Sequence, residues 1–152
     1  MHFSATCNTN CAPHRRLRTL RALADAGVPT GVSVSPQIPF INDDMEQVLE
    51  AAYEAGARRA FYQVLRLPWE VNPLFQQWVQ QHFPHKASRV MARVRDMRGG
   101  RDNDSRFGSR MTGQGVWAKL LRQRFHKATE RLGMNRERVE LDLTRFRRPE
   151  PR

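Results

Sequence analysis

The sequence contains no apolar run long enough to span a membrane, and its first residues lack the basic-then-apolar order of a secretory signal. These two absences predict a cytoplasmic protein without a membrane contact. Cysteine is also scarce, because the chain has only Cys7 and Cys11. A disulfide framework is therefore not expected in that compartment.

Acidic residues are few, with 15 Asp and Glu against 26 Lys and Arg, and the formal net charge is +11. Residues 1–85 hold seven basic and seven acidic residues, whereas residues 86–152 hold nineteen and eight. Nearly all of the later cations are arginine, which suits bidentate contacts with phosphate or carboxylate. This distribution predicts either binding of nucleic acid or another polyanion, or a solvated basic face that packs on an acidic partner.

The residues that are present predict one domain, since 152 residues with 39% hydrophobic content can bury a core. Residues 1–12 show no periodicity and are expected to form a loose leader. A helix is predicted from Pro13 to the stop at Gly27, followed by a strand over residues 28–35. A second helix, with Asn42 as N-cap, ends at Gly56.

A second strand is predicted over residues 59–67, where it stops at a proline. Two parallel strands with one crossover helix must be covered on both faces and need further strands beside them. The rest of the chain offers no strand of comparable quality, although residues 139–143 could add a short one. The predicted fold class is therefore α/β, a fragment of a larger sheet or barrel occupying residues 13–68.

Beyond this unit the chain is predicted to be a mainly helical, Arg-rich extension over residues 69–148, with a frayed tail over 149–152. Helices are expected from Asn72 to about Phe83, from Pro84 to about Arg98, and over residues 114–132. The Gly- and Arg-rich loop that begins at Gly99 is too long for a simple connector. Glycine exposes backbone amides and arginine supplies charge, so this loop could cradle a phosphate.

Chemistry in α/β folds lies at the carboxyl ends of the strands, which here are followed by SPQIPFIND and LRLPWE. Arg66 follows the second strand, and a charge at that position indicates either a polar site or a paired carboxylate. The tryptophans Trp69, Trp78 and Trp117 are more typical of core or helix packing than of a base-stacking platform.

Three stretches resemble a known family: LRALADAGVPTGVSVSPQIPFIND, LEAAYEAGARRAFYQVLRLP and RVRDMRGGRDNDSRFGSRMTGQGVWA. They are similar to the C-terminal half of bacterial radical SAM proteins related to spore photoproduct lyase, a group often labelled DNA repair photolyase. The similarity runs from about His14 to Pro149. Its most specific pieces are P-x-I-P-x-x-N-D, which begins at Pro36, and R-G-G-R-x-N-D-x-R-F-G-S-R-M, which begins at Arg98. The family usually has glycine where this chain has Phe40.

The resemblance implies part of a (β/α)6 barrel that holds a [4Fe–4S] cluster and S-adenosylmethionine. In the family, the cluster reduces the sulfonium and releases a radical that abstracts hydrogen from a substrate. The cluster ligands, three cysteines at C-x3-C-x2-C, lie in the first half of the barrel, which this chain lacks. The chain is therefore expected to bind neither cofactor alone, to supply no catalytic residue, and to be inactive in lyase-like chemistry by itself.

By analogy with other radical SAM barrels, the later strands help to line the adenosylmethionine pocket. This implies that Ser35, Gln37 and Ile38 lie beside the adenosyl group and that Leu65 forms an apolar wall. The arginines assigned to a substrate or polyanion are Arg66, Arg98, Arg101, Arg106 and Arg110.

Cys7, Cys11 and His14 stand at C-x3-C-x2-H, the cluster spacing with a histidine as third ligand. Imidazole can ligate iron in such clusters. The segment does not follow a strand, however, and the resemblance aligns it with a helix far downstream of the cluster motif. We interpret the spacing as coincidental.

Two further hypotheses stand beside the radical SAM fragment. One is a small nucleic-acid-binding module that uses Arg98, Arg101, Arg106, Arg110, Arg122 and Arg124. The other is an assembly subunit that completes a split barrel with a separately encoded N-terminal half. In every case, unpaired strand edges and exposed apolar faces predict poor solubility or oligomers despite the net charge.

Overall fold

The computed structural model describes residues 12–137 together with Thr144 and Arg147. The order of elements is α1 (Pro13–Asp25), β1 (Gly31–Gln37), α2 (Met45–Glu54), β2 (Arg59–Val64), α3 (Val71–His82), α4 (Ala87–Met97) and α5 (Gly115–Leu132). This mixture of helices with a two-stranded parallel sheet confirms the α/β class. The leader over residues 1–11, the short strand predicted over 139–143 and the tail over 149–152 lie outside the described residues.

The strands differ from the predicted ones at their ends. β1 begins at Gly31, and it continues through Pro36 to Gln37 instead of stopping before the proline. A proline is tolerated there because it lies where the register shifts, so that the ladder is already interrupted at its position. The register shifts between Val34 and Gln37, and β2 ends at Val64, three residues earlier than predicted.

Within the described residues, the sheet has one covered and one uncovered face. Val32 and Val34 lie on the covered face, where α2 and α5 pack. Gly31 and Ser33 lie on the other face and are exposed, and Phe61, the partner of Ser33 in the register, is 55% exposed. Parallel sheets are normally covered on both faces. The covering elements that the sequence predicted to be missing are therefore missing from this face.

Two apolar clusters form the core. The sheet cluster lies between the strands, α2 and α5, and it includes Leu49, Val64, Leu121 and Phe125. The helical cluster lies between α3, α4 and the loops after the strands, and it includes Leu65, Leu67, Val79, Val90 and Val94. The second cluster therefore places the Arg-rich part of the chain against the carboxyl ends of the strands.

The two edges of the sheet are unlike each other. Along β2, the N–H of Asn135 donates to the carbonyl of Arg58 at 2.9 Å, and its side chain exchanges two hydrogen bonds with the backbone of Ala60, both 2.9 Å. Farther along the same strand, the N–H of Val64 donates to the carbonyl of Met111 at 3.0 Å. β1 has no second neighbour within the described residues. Of the two edges predicted to be unpaired, only that of β1 lacks a partner from residues 12–137.

Candidate functional site

Residues 98–113, which we call the arginine loop, connect α4 to α5 without a helix or strand, as predicted. The loop is attached to β2 by the bond between Val64 and the carbonyl of Met111. At its far end, the N–H of Gln114 donates to the carbonyl of Met97 at 3.0 Å. The loop therefore lies at the carboxyl end of β2, where α/β folds carry their sites.

Arg98 is the buried centre of this attachment, with only 1% of the residue exposed. Its Nη1 donates to the carbonyls of Ser109 (3.1 Å) and Arg110 (2.8 Å), and its Nη2 donates to those of Val64 (3.3 Å) and Leu65 (2.6 Å). Burial lowers the pKa of Arg98. The sequence assigned this arginine to a polyanion, whereas the structure places its guanidinium against four carbonyl oxygens inside the protein.

Asp104 organises the middle of the loop and is 3% exposed. It accepts hydrogen bonds from Nε (2.9 Å), Nη2 (3.0 Å) and the backbone N–H (3.1 Å) of Arg106, and from the hydroxyl of Ser109 (2.8 Å). The Arg106 guanidinium, followed by the Ser109 hydroxyl, holds the pKa of Asp104 well below its usual range. Arg106 is thus paired within the loop, although 66% of its side chain is exposed.

Three other predicted arginines have no acidic partner in the described part of the chain: Arg66, Arg101 and Arg110. Nη1 of Arg66 lies 3.8 Å from the sulfur of Met111, and its buried Nε has no hydrogen-bond partner there. Arg101 is exposed. The guanidinium of Arg110 lies 4.2 Å from the ring centroid of Phe107. The fold brings all five predicted arginines to one end of the sheet. Arg98 is engaged by carbonyl oxygens and Arg106 by Asp104, so the other three are the ones that could contact an external anion.

Two large aromatic side chains at the same end lie almost completely in solvent. Trp69 is 87% exposed, and Phe107 is 88% exposed. The sequence interpretation of Trp69 as a packing residue is wrong, whereas Trp78 packs in the helical cluster and Trp117 against the sheet cluster. No periodicity marks either exposed aromatic. The positions of Trp69 directly after Pro68, and of Phe107 within a Gly- and Arg-rich loop, are the signals that could have indicated exposure.

The loop after β1 is closed by Asn42. Its Oδ1 accepts the N–H of Ile38 and its Nδ2 donates to the carbonyl of Pro36, both at 2.6 Å. The sequence assigned Asn42 as the N-cap of α2, but that position belongs to Asp44, whose side chain makes no capping bond. Asn42 is used within the loop because an asparagine side chain readily bonds nearby backbone groups.

Phe40 occupies the position where the resembled family has glycine. Its φ of 64° lies in the left-handed region that favours glycine. The ring centroid lies 5.6 Å from that of Trp117, and the guanidinium of Arg89 lies 4.7 Å from the Phe40 ring. These contacts hold a bulky residue in a glycine-type conformation.

The four residues that the resemblance placed around an adenosyl group do not share a cavity. Ser35 is exposed on the uncovered face. Gln37 is 4% exposed and donates from Nε2 to the carbonyl of Val34 at 3.1 Å. Ile38 and Leu65 pack in the helical cluster. Three of the four side chains are thus part of the protein's own packing, and they do not fit a cofactor pocket formed by this chain alone.

A cavity of about 490 Å³ lies elsewhere, at the amino end of β1. Its lining includes Arg15, Arg16 and Leu20 of α1 together with Val28 and Gly31. None of the predicted site residues lines it. It is therefore separate from the arginine loop at the carboxyl end of β2.

Residues 12–137 bring together no group of three or more His, Cys, Asp or Glu that could hold a metal ion. His14 is exposed on α1, and its predicted companions Cys7 and Cys11 lie outside the described residues. In the same part of the chain, no helix is long and apolar enough to cross a membrane.

The remaining two arginines of the nucleic-acid hypothesis lie on α5. Nε and Nη2 of Arg124 donate to the two carboxylate oxygens of Glu46 (2.8 and 2.7 Å), and Nη1 donates to Asp43 (2.8 Å). These donors lower the pKa of Glu46, and the bond to Glu46 raises that of Arg124. Arg124 therefore ties α5 to the start of α2, whereas Arg122 is exposed.

No protein-family model, no curated protein and no solved structure matches this chain. The family resemblance therefore rests on the quoted sequence motifs alone.

Proposed function

We propose that this chain is the closing part of a radical SAM-type α/β barrel in the cytoplasm. In this proposal it supplies the last strands and a wall of the substrate pocket, and the cluster and S-adenosylmethionine are held by the N-terminal half of the barrel. The chain alone carries no catalytic residue and no radical activity.

The observation that carries this proposal is the asymmetry of the sheet edges. The outer edge of β2 is covered by Asn135 and Met111 of the chain itself, so that β2 is suited to be a terminal strand. The edge of β1 is free within the described residues. Further strands of a larger sheet would therefore be added on the β1 side, which is also the side that precedes in sequence.

The backbone direction of β1 follows from the register. Ala60 points both of its backbone groups away from β1, toward Asn135. In a parallel ladder the backbone N–H and C=O groups of its partner Val32 then face β2. Those of the neighbouring residues Gly31 and Ser33 face the free edge. These are the groups that an incoming strand would bond.

The uncovered face agrees with a barrel interior. Helices pack on one face of the sheet, as on the outside of a barrel, and the other face carries the small residues Gly31, Ser33 and Ser35 with Phe61. Small side chains on an inner face leave space for a ligand beside the backbone. Only Ser35 of the four predicted adenosyl neighbours lies on this face, so the chain offers a wall and not a complete pocket.

Co-expression tests the proposal. The tagged chain is produced with an untagged half, bearing C-x3-C-x2-C, from a full-length protein of the spore photoproduct lyase-related group. We expect a one-to-one complex whose iron–sulfur cluster gives an electron paramagnetic resonance signal that changes when S-adenosylmethionine is added. The chain alone, reconstituted with iron and sulfide, should form no stoichiometric cluster.

The Ser33→Pro variant is the critical control. Its ring removes an N–H that points away from β2, so the existing sheet is preserved while an incoming strand loses a donor. Ser33→Thr keeps that N–H and serves as the matched variant. The proposal fails if the wild-type chain captures no half-barrel, or if Ser33→Pro captures it as well as Ser33→Thr does. A cluster on the chain alone that responds to S-adenosylmethionine would instead assign Cys7, Cys11 and His14 as ligands.

A further inference from the structure

We propose that the carboxyl end of β2 carries a binding surface for single-stranded nucleic acid. In this surface Trp69 and Phe107 stack on bases, and Arg66, Arg101 and Arg110 contact phosphates. We call these five residues the stacking surface. The inference goes beyond the barrel proposal and does not depend on it, because it uses only residues of this chain.

The exposure of the two aromatic side chains is the first observation. Trp69 and Phe107 keep 87% and 88% of their surface in water, more than the other exposed large apolar residues of the described chain. Aromatic side chains ordinarily bury a large area in cores and interfaces. Two rings left this accessible beside cations are suited to a ligand that has its own flat faces.

The backbone at Trp69 is the second observation. Its φ is 40°, which is an outlier for a bulky residue. The turn is held by a bond from the Val71 N–H to the carbonyl of Pro68 (3.0 Å) and by one from the Asn72 N–H to the carbonyl of Trp69 (3.1 Å). Backbone conformations of this kind concentrate at ligand sites, where the surrounding structure maintains them.

The segment that carries Trp69 and the loop that carries Phe107 are joined to each other. The Leu67 N–H lies 3.4 Å from Oδ1 of Asn103, and Arg98 bonds the backbone of both segments. The two aromatics therefore belong to one attached region at the carboxyl end of β2.

The charge of this region favours a polyanion. Arg66, Arg101 and Arg110 have no acidic partner among the described residues, and Arg110 already stacks on Phe107 at 4.2 Å. The neighbouring carboxylates are engaged: Asp102 accepts from Arg95 at 2.7 Å, and Asp104 is enclosed by Arg106. Hydrogen bonds keep the pKa of both carboxyl groups low, so the arginine partners stay paired. Glu70 is the remaining acidic residue of the two segments.

The exposed rings distinguish nucleic acid from an acidic peptide. Every base has a π-face that stacks on an aromatic ring, whereas Asp and Glu side chains gain only from the arginines. In a duplex these faces are covered by neighbouring bases. A single strand is therefore the expected ligand.

Fluorescence anisotropy with a labelled oligothymidylate of about 15 nucleotides tests the inference. We expect Trp69→Ala and Phe107→Ala each to weaken binding by about 5- to 150-fold, the range of one lost base–aromatic stack. Leu23→Ala, which also removes a large exposed side chain but lies on α1, should leave the affinity unchanged. Arg101→Ala should reduce the salt dependence of binding, whereas Arg21→Ala, an equal charge change on α1, should not.

A conservative variant separates stacking from folding. Trp69→Phe keeps a ring at the surface, so its affinity should stay within about threefold of the wild type while the quenching of tryptophan fluorescence by the oligonucleotide disappears. Trp78 and Trp117 are packed and should not report binding.

Three ligand comparisons complete the test. A duplex of the same length, an abasic strand with the same phosphates, and polyglutamate should each bind at least fivefold more weakly than the oligothymidylate. Equal affinity for the abasic strand or the duplex would overturn the role of base stacking. Tighter binding of polyglutamate would overturn the proposal in favour of an acidic protein partner. Absent binding, or unchanged affinity in Trp69→Ala and Phe107→Ala, would remove it.

Discussion

At the scale of single residues, the arginine loop is ordered by two side chains with opposite charges. Arg98 joins four carbonyl oxygens from two segments, and Asp104 gathers donors from Arg106 and Ser109. A loop without helix or strand must satisfy its backbone groups in another way, and these side chains do so. The loop is therefore an ordered surface.

Replacement of Arg98 should show how much this order contributes. Arg98→Leu leaves several buried carbonyls without donors, and each such group costs about 1–3 kcal/mol. We expect the free energy of unfolding to fall by about 2–4 kcal/mol in urea titrations. The control Arg101→Leu changes an exposed arginine and should shift it by about 0.5 kcal/mol or less. Equal effects of the two changes would contradict the buried bridge.

Asp104 should give the protein a characteristic acid sensitivity. Its pKa is lowered in the folded state below the unfolded value of about 3.9, so the unfolded chain binds a proton first as the pH falls. Its stabilising contribution is present above pH about 4 and is lost as the pH falls further. Asp104→Asn should therefore flatten the decline of the melting temperature between about pH 5 and pH 2. An identical decline in both proteins would contradict this role.

The sequence predicted which residue types stand at this end of the molecule, but not their individual roles. Arg98 and Arg101 lie three residues apart in the same loop, and only one of them is buried. The difference depends on carbonyls of Val64 and Leu65, more than thirty residues away. Such partners arise from tertiary packing and cannot be inferred from local spacing.

At the scale of elements, local patterns were sufficient to place the helices and both strands. Helix α5 follows its apolar spacing and ends at Leu132, where the C-cap Gly133 adopts a left-handed φ of 71°. The ends of β1 were less predictable, because a proline stops a regular strand but is tolerated where the register shifts. The register shift depends on the pairing of β1 with β2, which no local pattern shows.

No sequence pattern indicated that Asn135 would cover the outer edge of β2. Its φ of 60° is one that asparagine tolerates, and its amide exchanges two bonds with Ala60 as a neighbouring strand would. Asn135→Gly keeps the backbone conformation and removes both bonds. We expect a loss of about 1–2 kcal/mol in unfolding free energy and faster hydrogen exchange at the Ala60 amide. Unchanged exchange at Ala60 would show that Asn135 does not cover the edge.

At the scale of the whole molecule, the main sequence prediction was a strand pair without its neighbours. Among the described residues, neighbours are missing at one edge and one face of the sheet, those formed by Gly31, Ser33 and Phe61. The sequence could not specify which edge would be open, since the cover of β2 comes from residues 111 and 135. That pairing is long-range and leaves no local signal.

The open edge and face should make the isolated chain associate with itself. The formal charge of +11 opposes association at low salt, and screening weakens that repulsion. We expect light scattering to show a monomer at about 20 mM salt and concentration-dependent oligomers at about 500 mM. Ser33→Pro should reduce the oligomers. A monodisperse monomer under all of these conditions would contradict an exposed, pairing-competent edge.

Residue-resolved hydrogen exchange on the monomer at low salt tests the central claim most directly, namely that β2 is a covered terminal strand and β1 an open one. We expect the amides of Ala60 and Val64 to be protected, since Asn135 and Met111 accept their bonds. The amides of Gly31 and Ser33 should exchange at nearly the rate of an unstructured chain. Equal protection of the two strands would mean that the β1 edge is already occupied, and the proposal of a barrel-closing half would then be wrong.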